Sequence, residues 1–164
     1  MLTKTVIRLG AFSGLLLAFN TANADTGDVV RYPLKASDFP IAAAVELKKI
    51  EGLVFLSGMV PRDNVATKTG SITEAQTTDV LQQVEDKLLE LGLHLDDVVK
   101  MQVFLVGDTK LDNKMDFDGF MRGYGKFFAK NKNGGALPAR STFQVQALAK
   151  PSYLVEIEVT AVRR

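Results

Sequence analysis

The chain has 164 residues, with 20 Lys and Arg against 19 Asp and Glu for a net charge of +1, 46% hydrophobic residues and no cysteine. That length and balance suit one globular domain with a real core. A near-neutral charge without a basic run gives no footing to a nucleic-acid partner, and the lack of Cys removes disulfides, thiol chemistry and thiolate metal sites together.

The first 24 residues read as a leader. Lys4 and Arg8 are followed by an apolar run from Leu9 to Phe19, and Ala22-Asn23-Ala24 forms a small-residue cleavage site before Asp25. The apolar run is short for a bilayer, so a cleaved signal is favoured over an N-terminal anchor. The mature chain, residues 25–164, is expected to be a single domain in the periplasm or secreted, off the membrane once the signal is removed. Asp25 to Pro40 is polar, carries Pro33 and Pro40, and reads as a loose arm. Ala42 to Ile50 and Leu53 to Leu56 read as strands around Glu51-Gly52, hence a hairpin. Ser57-Gly58 ends it, and Pro61 to Gly70 is a polar loop.

Ser71 and Glu74 form a capping box, so a helix is predicted from there to Leu91. Leu81, Val84, Leu88 and Leu91 make its apolar stripe, and Gly92 suits the position just past its end. His94, the sole histidine, is expected in solvent. Val98 to Val106 is apolar on both parities, which predicts a strand that is central or covered by a partner. A second helix is predicted from Lys114 to Lys130, where Phe117, Phe120, Met121, Tyr124 and Phe128 recur at helical spacing as core residues. Gly119, Gly123 and Gly125 interrupt it, and close packing against a neighbour would offset their cost of up to about 1 kcal/mol each.

The chain closes with two alternating runs, Arg140 to Leu148 and Tyr153 to Val162, joined by a turn around Lys150-Pro151-Ser152. The order is β-β-α-β-α-β-β: an α+β domain, a mixed sheet with two helices on one face. The other face needs a cover, and a second copy of the chain is the simplest one.

One His and no Cys speak against a transition-metal site, and no nucleophile elbow, Walker loop or dinucleotide fingerprint occurs. The polar candidates left are Arg140, Glu156, Glu158 and the Ser57-Gly58 backbone. If the last two strands pair, the Arg140 fork and a Glu156 carboxylate face one small space. A guanidinium can hold a planar carboxylate there and a carboxylate can steer a water. The same pattern also fits a solvated strand face.

Leu53 to Gly58 (LVFLSG), the Lys68-Thr69-Gly70 loop, Phe127-Phe128 and above all Pro138-Ala139-Arg140-Ser141 followed by Val155-Glu156-Ile157-Glu158 resemble the RidA (YjgF) family over residues 41 to 163. The resemblance implies a chorismate-mutase-like fold, a homotrimer with clefts between subunits, and no cofactor. It implies hydrolysis of reactive enamines and imines, of the 2-aminoacrylate and 2-iminopropanoate type, to 2-oxo acids and ammonia. By position it makes Arg140 the clamp on the substrate carboxylate and Glu156 the base that deprotonates the attacking water. Ser57, Gly58 and Thr142 line the cleft. The alternative on the same fold is a non-catalytic periplasmic protein that binds a small carboxylate through Arg140. Nuclease or translation-inhibitor activity, names also attached to this family, fits the neutral charge poorly. The chain departs from the family pattern at Ala44, where a Tyr is common and Tyr32 or Phe39 could substitute, at Met59 in place of Gln, and at Thr142 in place of Cys.

Overall fold

The computed structural model describes residues 28–63, 65, 70–130 and 132–164. The expected leader, Lys68 and Thr69 lie outside these residues. Among the described residues six strands and two α-helices are formed: β1 (Val29–Pro33), β2 (Ala42–Leu47), β3 (Gly52–Met59), α1 (Ile72–Glu90), β4 (Val98–Val106), α2 (Phe117–Tyr124), β5 (Ala139–Val145) and β6 (Val155–Arg163). The strands make one mixed sheet in the order β1-β2-β5-β4-β6-β3. Both helices pack on one face, through a core that joins Val80, Leu81, Val84 and Leu88 of α1 and Phe120 and Tyr124 of α2 to Met101, Val103, Leu105, Val155, Ile157 and Val159. The α+β fold and its mixed sheet are those expected from the sequence.

Local chemistry explains the helix ends. The Ser71 side chain accepts from the Glu74 amide at 3.2 Å. Glu74 does not reach back to close the box; it turns to Arg122 of α2, at 2.8 Å, and to Lys126 just past that helix, at 3.0 Å. At the other end Gly92 takes φ +70°, and the amides of Gly92 and Leu93 bond the carbonyls of Leu89 and Leu88, a Schellman closure. Leu91 is the capping residue there and stays 40% exposed, not part of the buried stripe. α2 is shorter than expected at both ends. Residues 108–114 are held in a turn by the Asp108–Lys114 bridge, and Asp116 starts the helix by accepting from the Gly119 amide at 2.8 Å. On its buried side Phe120 meets Tyr124 tilted, with centroids 5.6 Å apart, and Tyr124 stacks at 5.1 Å on Phe128, just past the helix end.

The α2 glycines are where the two helices touch. A Cβ on Gly123 would sit 2.7 Å from Thr77 Cβ and 2.9 Å from the Glu74 carbonyl oxygen of α1. Backbone cannot give way cheaply, so Gly123→Ala is expected to destabilise the fold by about 1–3 kcal/mol, read as a lower denaturant midpoint. Unchanged stability would mean that the helices are free to separate.

Three pairings differ from expectation. The arm holds a strand, β1, which pairs antiparallel with β2. β2 and β3 are not a hairpin: β3 lies at the far edge against β6. β5 and β6 are not a hairpin either, because β4 lies between them, parallel to β5 and antiparallel to β6. The α2 crossover delivers β5 beside β4, and residues 146–154 then carry the chain across β4 to its other side. β2 pairs in the ladder with β5 only at Ala42–Ala139. The β1–β2 hairpin then peels away, packing Val29, Val45 and Leu47 on Val99 and Val162. It covers one end of the face opposite the helices. The rest of that face exposes Phe55 at 73%, Phe143 at 49% and Leu53 at 44%. No helix among the described residues is long and apolar enough to cross a membrane.

Candidate functional site

Register assigns each candidate side chain to a face. Arg140 pairs with Met101, and Thr142 with Val103. Met101 and Val103 belong to the helix-side core, so Arg140 and Thr142 point toward the helices. Glu156 pairs with Phe104 and Glu158 with Gln102, the alternate parity, so both glutamates lie on the open face. Ser57 and Gly58 sit in the irregularity between the Leu56–Val159 and Met59–Ile157 pairs, also toward the open face. The expected meeting of Arg140 and Glu156 within one chain is therefore corrected. The two residues are two strands apart and three register positions apart. Their Cα atoms are separated by about 10 Å across the sheet and about 10 Å along it, with the side chains on opposite faces.

The Arg140 half is an aromatic box. The guanidinium carbon lies 4.2 Å from the Tyr124 ring centroid, 4.9 Å from Phe120 and 5.4 Å from Phe39. Tyr124 is fixed by donating its hydroxyl to the Pro40 carbonyl at 2.9 Å. Nη2 donates to Met121 Sδ at 3.3 Å, while Nη1 is buried without a hydrogen-bond partner, as is Thr142 Oγ1. Burial lowers the guanidinium pKa, opposed by nearby Tyr124, and burial raises that of Tyr124. A partly buried cation with no anion beside it among the described residues is a costly arrangement. It is the expected form of a seat for an incoming carboxylate. Of the two aromatics considered in place of the absent Tyr, Phe39 stands over Arg140. Tyr32 instead donates to Glu46 at 2.6 Å on the exposed hairpin.

The Glu156 half is built on close backbone approach. A Cβ on Gly58 would fall 2.0 Å from Glu156 Oε1 and 2.9 Å from its Cδ. Only glycine lets the carboxylate lie flat against β3 there. Gly58→Ala is expected to leave the fold intact, since the carboxylate end can swing away, but to lower turnover about 10-fold or more by misplacing it. Parallel circular dichroism and steady-state kinetics check this, and native turnover would remove Glu156 from the site.

The sequence reading missed the box because Phe120 and Tyr124 carry the spacing of ordinary core residues, which they also are. Only their proximity in space to Arg140 distinguishes them. Elsewhere, a groove of about 540 Å³ opens between the Gly107–Thr109 and Gln146–Leu154 segments and contains neither Arg140 nor Glu156. His94 is exposed as expected. With Asp96 and Asp97 it offers ligand atoms within 4.8 Å of one another, but Asp97 is already held by Arg164 at 2.6 Å and by the His94 amide at 2.9 Å.

The family model described as Endoribonuclease L-PSP matches residues 35–163. The chain is 36% identical over 115 residues to the 2-iminobutanoate/2-iminopropanoate deaminase of Salmonella typhimurium, covering 68% of this chain and 80% of that one. It is 31% identical over 124 residues to the 3-aminoacrylate deaminase RutC of Acinetobacter baylyi, covering 74% and 88%. Among solved structures it is similar to YyfB of Yersinia pestis, of the conserved Rid protein family, with TM-score 0.64 and 25% identity over 82% of this chain and 98% of that one.

Proposed function

Because the chain belongs to the RidA (YjgF) family, we propose that it hydrolyses reactive 2-imino acids and their enamine tautomers to 2-oxo acids and ammonia, after export of the mature chain. The observation that carries this reading is the boxed Arg140 guanidinium, whose Nη1 is buried and unpartnered. A substrate carboxylate would satisfy it. Glu156, laid against Gly58, is the base. Water attacks the imine carbon as Glu156 takes its proton. Glu156 returns that proton to the nitrogen of the resulting carbinolamine, then relays the hydroxyl proton to the same nitrogen as the C–N bond breaks, leaving a 2-oxo acid and ammonia. The carbon is already electrophilic, so orientation and one general base suffice.

In this proposal the site is made by two copies of the chain. A small imino acid cannot span opposite faces of one sheet, so Arg140 of one copy meets Glu156 of the next. The exposed Phe55, Phe143 and Leu53 favour such an assembly, in which aromatic surface is buried between subunits. A homotrimer closes the arrangement with one cleft per interface. Nuclease activity draws no support from a chain of net charge +1.

The test is direct. Imines generated in place by an amino-acid oxidase should yield 2-oxo acid and ammonia faster with the protein than without it. Equal rates, with 2-oxo acids still bound in calorimetry, would leave only the carboxylate-binding alternative.

A further inference from the structure

The walls around Arg140 say more about the ligand than its carboxylate does. The guanidinium carbon sits over the Tyr124, Phe120 and Phe39 rings, 4.2, 4.9 and 5.4 Å from their centroids, so aromatic carbon crowds it. Its N–H donors all lie in its own plane, so a carboxylate that bonds them is held in that plane. Nη2 now points at the Met121 thioether, 3.3 Å away. A thioether sulfur is a weak acceptor, readily displaced by a carboxylate. Once displaced, Met121 stays beside the ligand as a flexible, polarisable apolar wall. Phe39, 37% exposed, continues that wall and stacks on Phe117 with centroids 6.3 Å apart. The Tyr124 hydroxyl is no help to a ligand, since its proton is committed to Pro40 and the side chain is fully buried. Thr142 Oγ1, on the same strand face, is unpartnered and is available to the carboxylate that every candidate substrate shares.

We propose that this site selects 2-imino acids with extended apolar side chains over those with small or hydroxylated ones, and that Met121 is the specificity-determining residue. The proposal rests on the imine-hydrolysis reading above. Carbon chain leaving the carboxylate meets sulfur and aromatic carbon. A hydroxyl placed there would lose its water and gain no partner.

The test compares imines derived from leucine, alanine and serine, with kcat/KM taken for the native protein, Met121→Leu and Met121→Gln. The native protein should favour the leucine-derived imine over the alanine-derived one by about ten-fold or more, and disfavour the serine-derived one. Met121→Leu should keep that order. Met121→Gln, of similar length but polar, should shrink the leucine preference by about ten-fold. Damage to the fold would lower all three substrates together and leave the ratios alone. Calorimetry with 4-methyl-2-oxopentanoate, pyruvate and 3-hydroxypyruvate separates this inference from the reading it rests on. The same order and the same Met121 dependence in binding, without turnover of any imine, would uphold the selectivity while overturning the deaminase. Turnover without an apolar preference, or ratios that Met121→Gln leaves unchanged, would overturn the selectivity alone. Neither turnover nor binding would overturn both.

Discussion

Replacing Arg140 is expected to move activity and stability in different directions. Arg140→Ala should lower kcat/KM for imine hydrolysis by about 10²–10⁴-fold, since charge-assisted hydrogen bonds to a carboxylate contribute about 1.5–3 kcal/mol each and two are lost. Arg140→Lys keeps a charge but not the fork. It should lose about 10–100-fold, the share of one such bond. The fold has little to lose by the change. The guanidinium is partly buried among Tyr124, Phe120 and Phe39 with Nη1 unpartnered, and burial lowers its pKa. Arg140→Met, which fills the box without a charge, should therefore melt at the same temperature as the native protein or higher. Melting curves beside ammonia release check both halves. Retained turnover in Arg140→Ala would remove the clamp from the mechanism. A collapse in melting temperature of Arg140→Met would make the residue structural.

Glu156 offers the second large effect and the sharper test. Glu156→Gln keeps shape but cannot accept the water proton, so kcat should fall about 10²–10⁴-fold with little change in KM. Arg140→Ala alone is equally inert, for a different reason. The two heads lie on opposite faces of one sheet, so each cleft should take one from each of two chains. Unfolding the two inert variants together and refolding the equal mixture should therefore restore activity. Under random assembly, roughly a quarter of the interfaces receive an intact Arg140 and an intact Glu156. A site contained in one chain predicts no recovery at all. Carrying both changes on the same chain and mixing it with native protein gives the control, in which activity falls without rescue.

What the sequence revealed and what it hid follow from the range of the forces involved. The ends of α1 were legible because Ser71 and Gly92 act within one turn. The exposure of His94 was legible from its place just past α1, and the centrality of Val98 to Val106 from apolar residues on both parities. Strand parity was legible too: Arg140 shares a face with Thr142, and Glu156 with Glu158. Which face of the sheet each parity meets is not written in the strand. It is set by the pairing of β5 and β6 to opposite sides of β4, a choice made by the α2 crossover and by burial across the whole domain. The turn at Lys150 forms as read, with the Tyr153 amide on the Lys150 carbonyl at 3.0 Å. It serves a crossing over β4, not a hairpin. β1 was hidden because Val29–Pro33 is five residues long and ends in proline. Such a segment becomes a strand only beside β2. Met121 was visible as a helix residue, while its contact with Arg140 spans 19 positions.

The aromatic strip opposite the helices carries a last consequence. A lone chain presents Phe55, Phe143 and Leu53 to water, and under the proposed assembly it also holds only half of any reaction centre. Mass action then governs both its survival and its chemistry. Dilution should cost specific activity more steeply than it costs protein, and a chain produced too sparsely to find its neighbours would be folded, short-lived and silent.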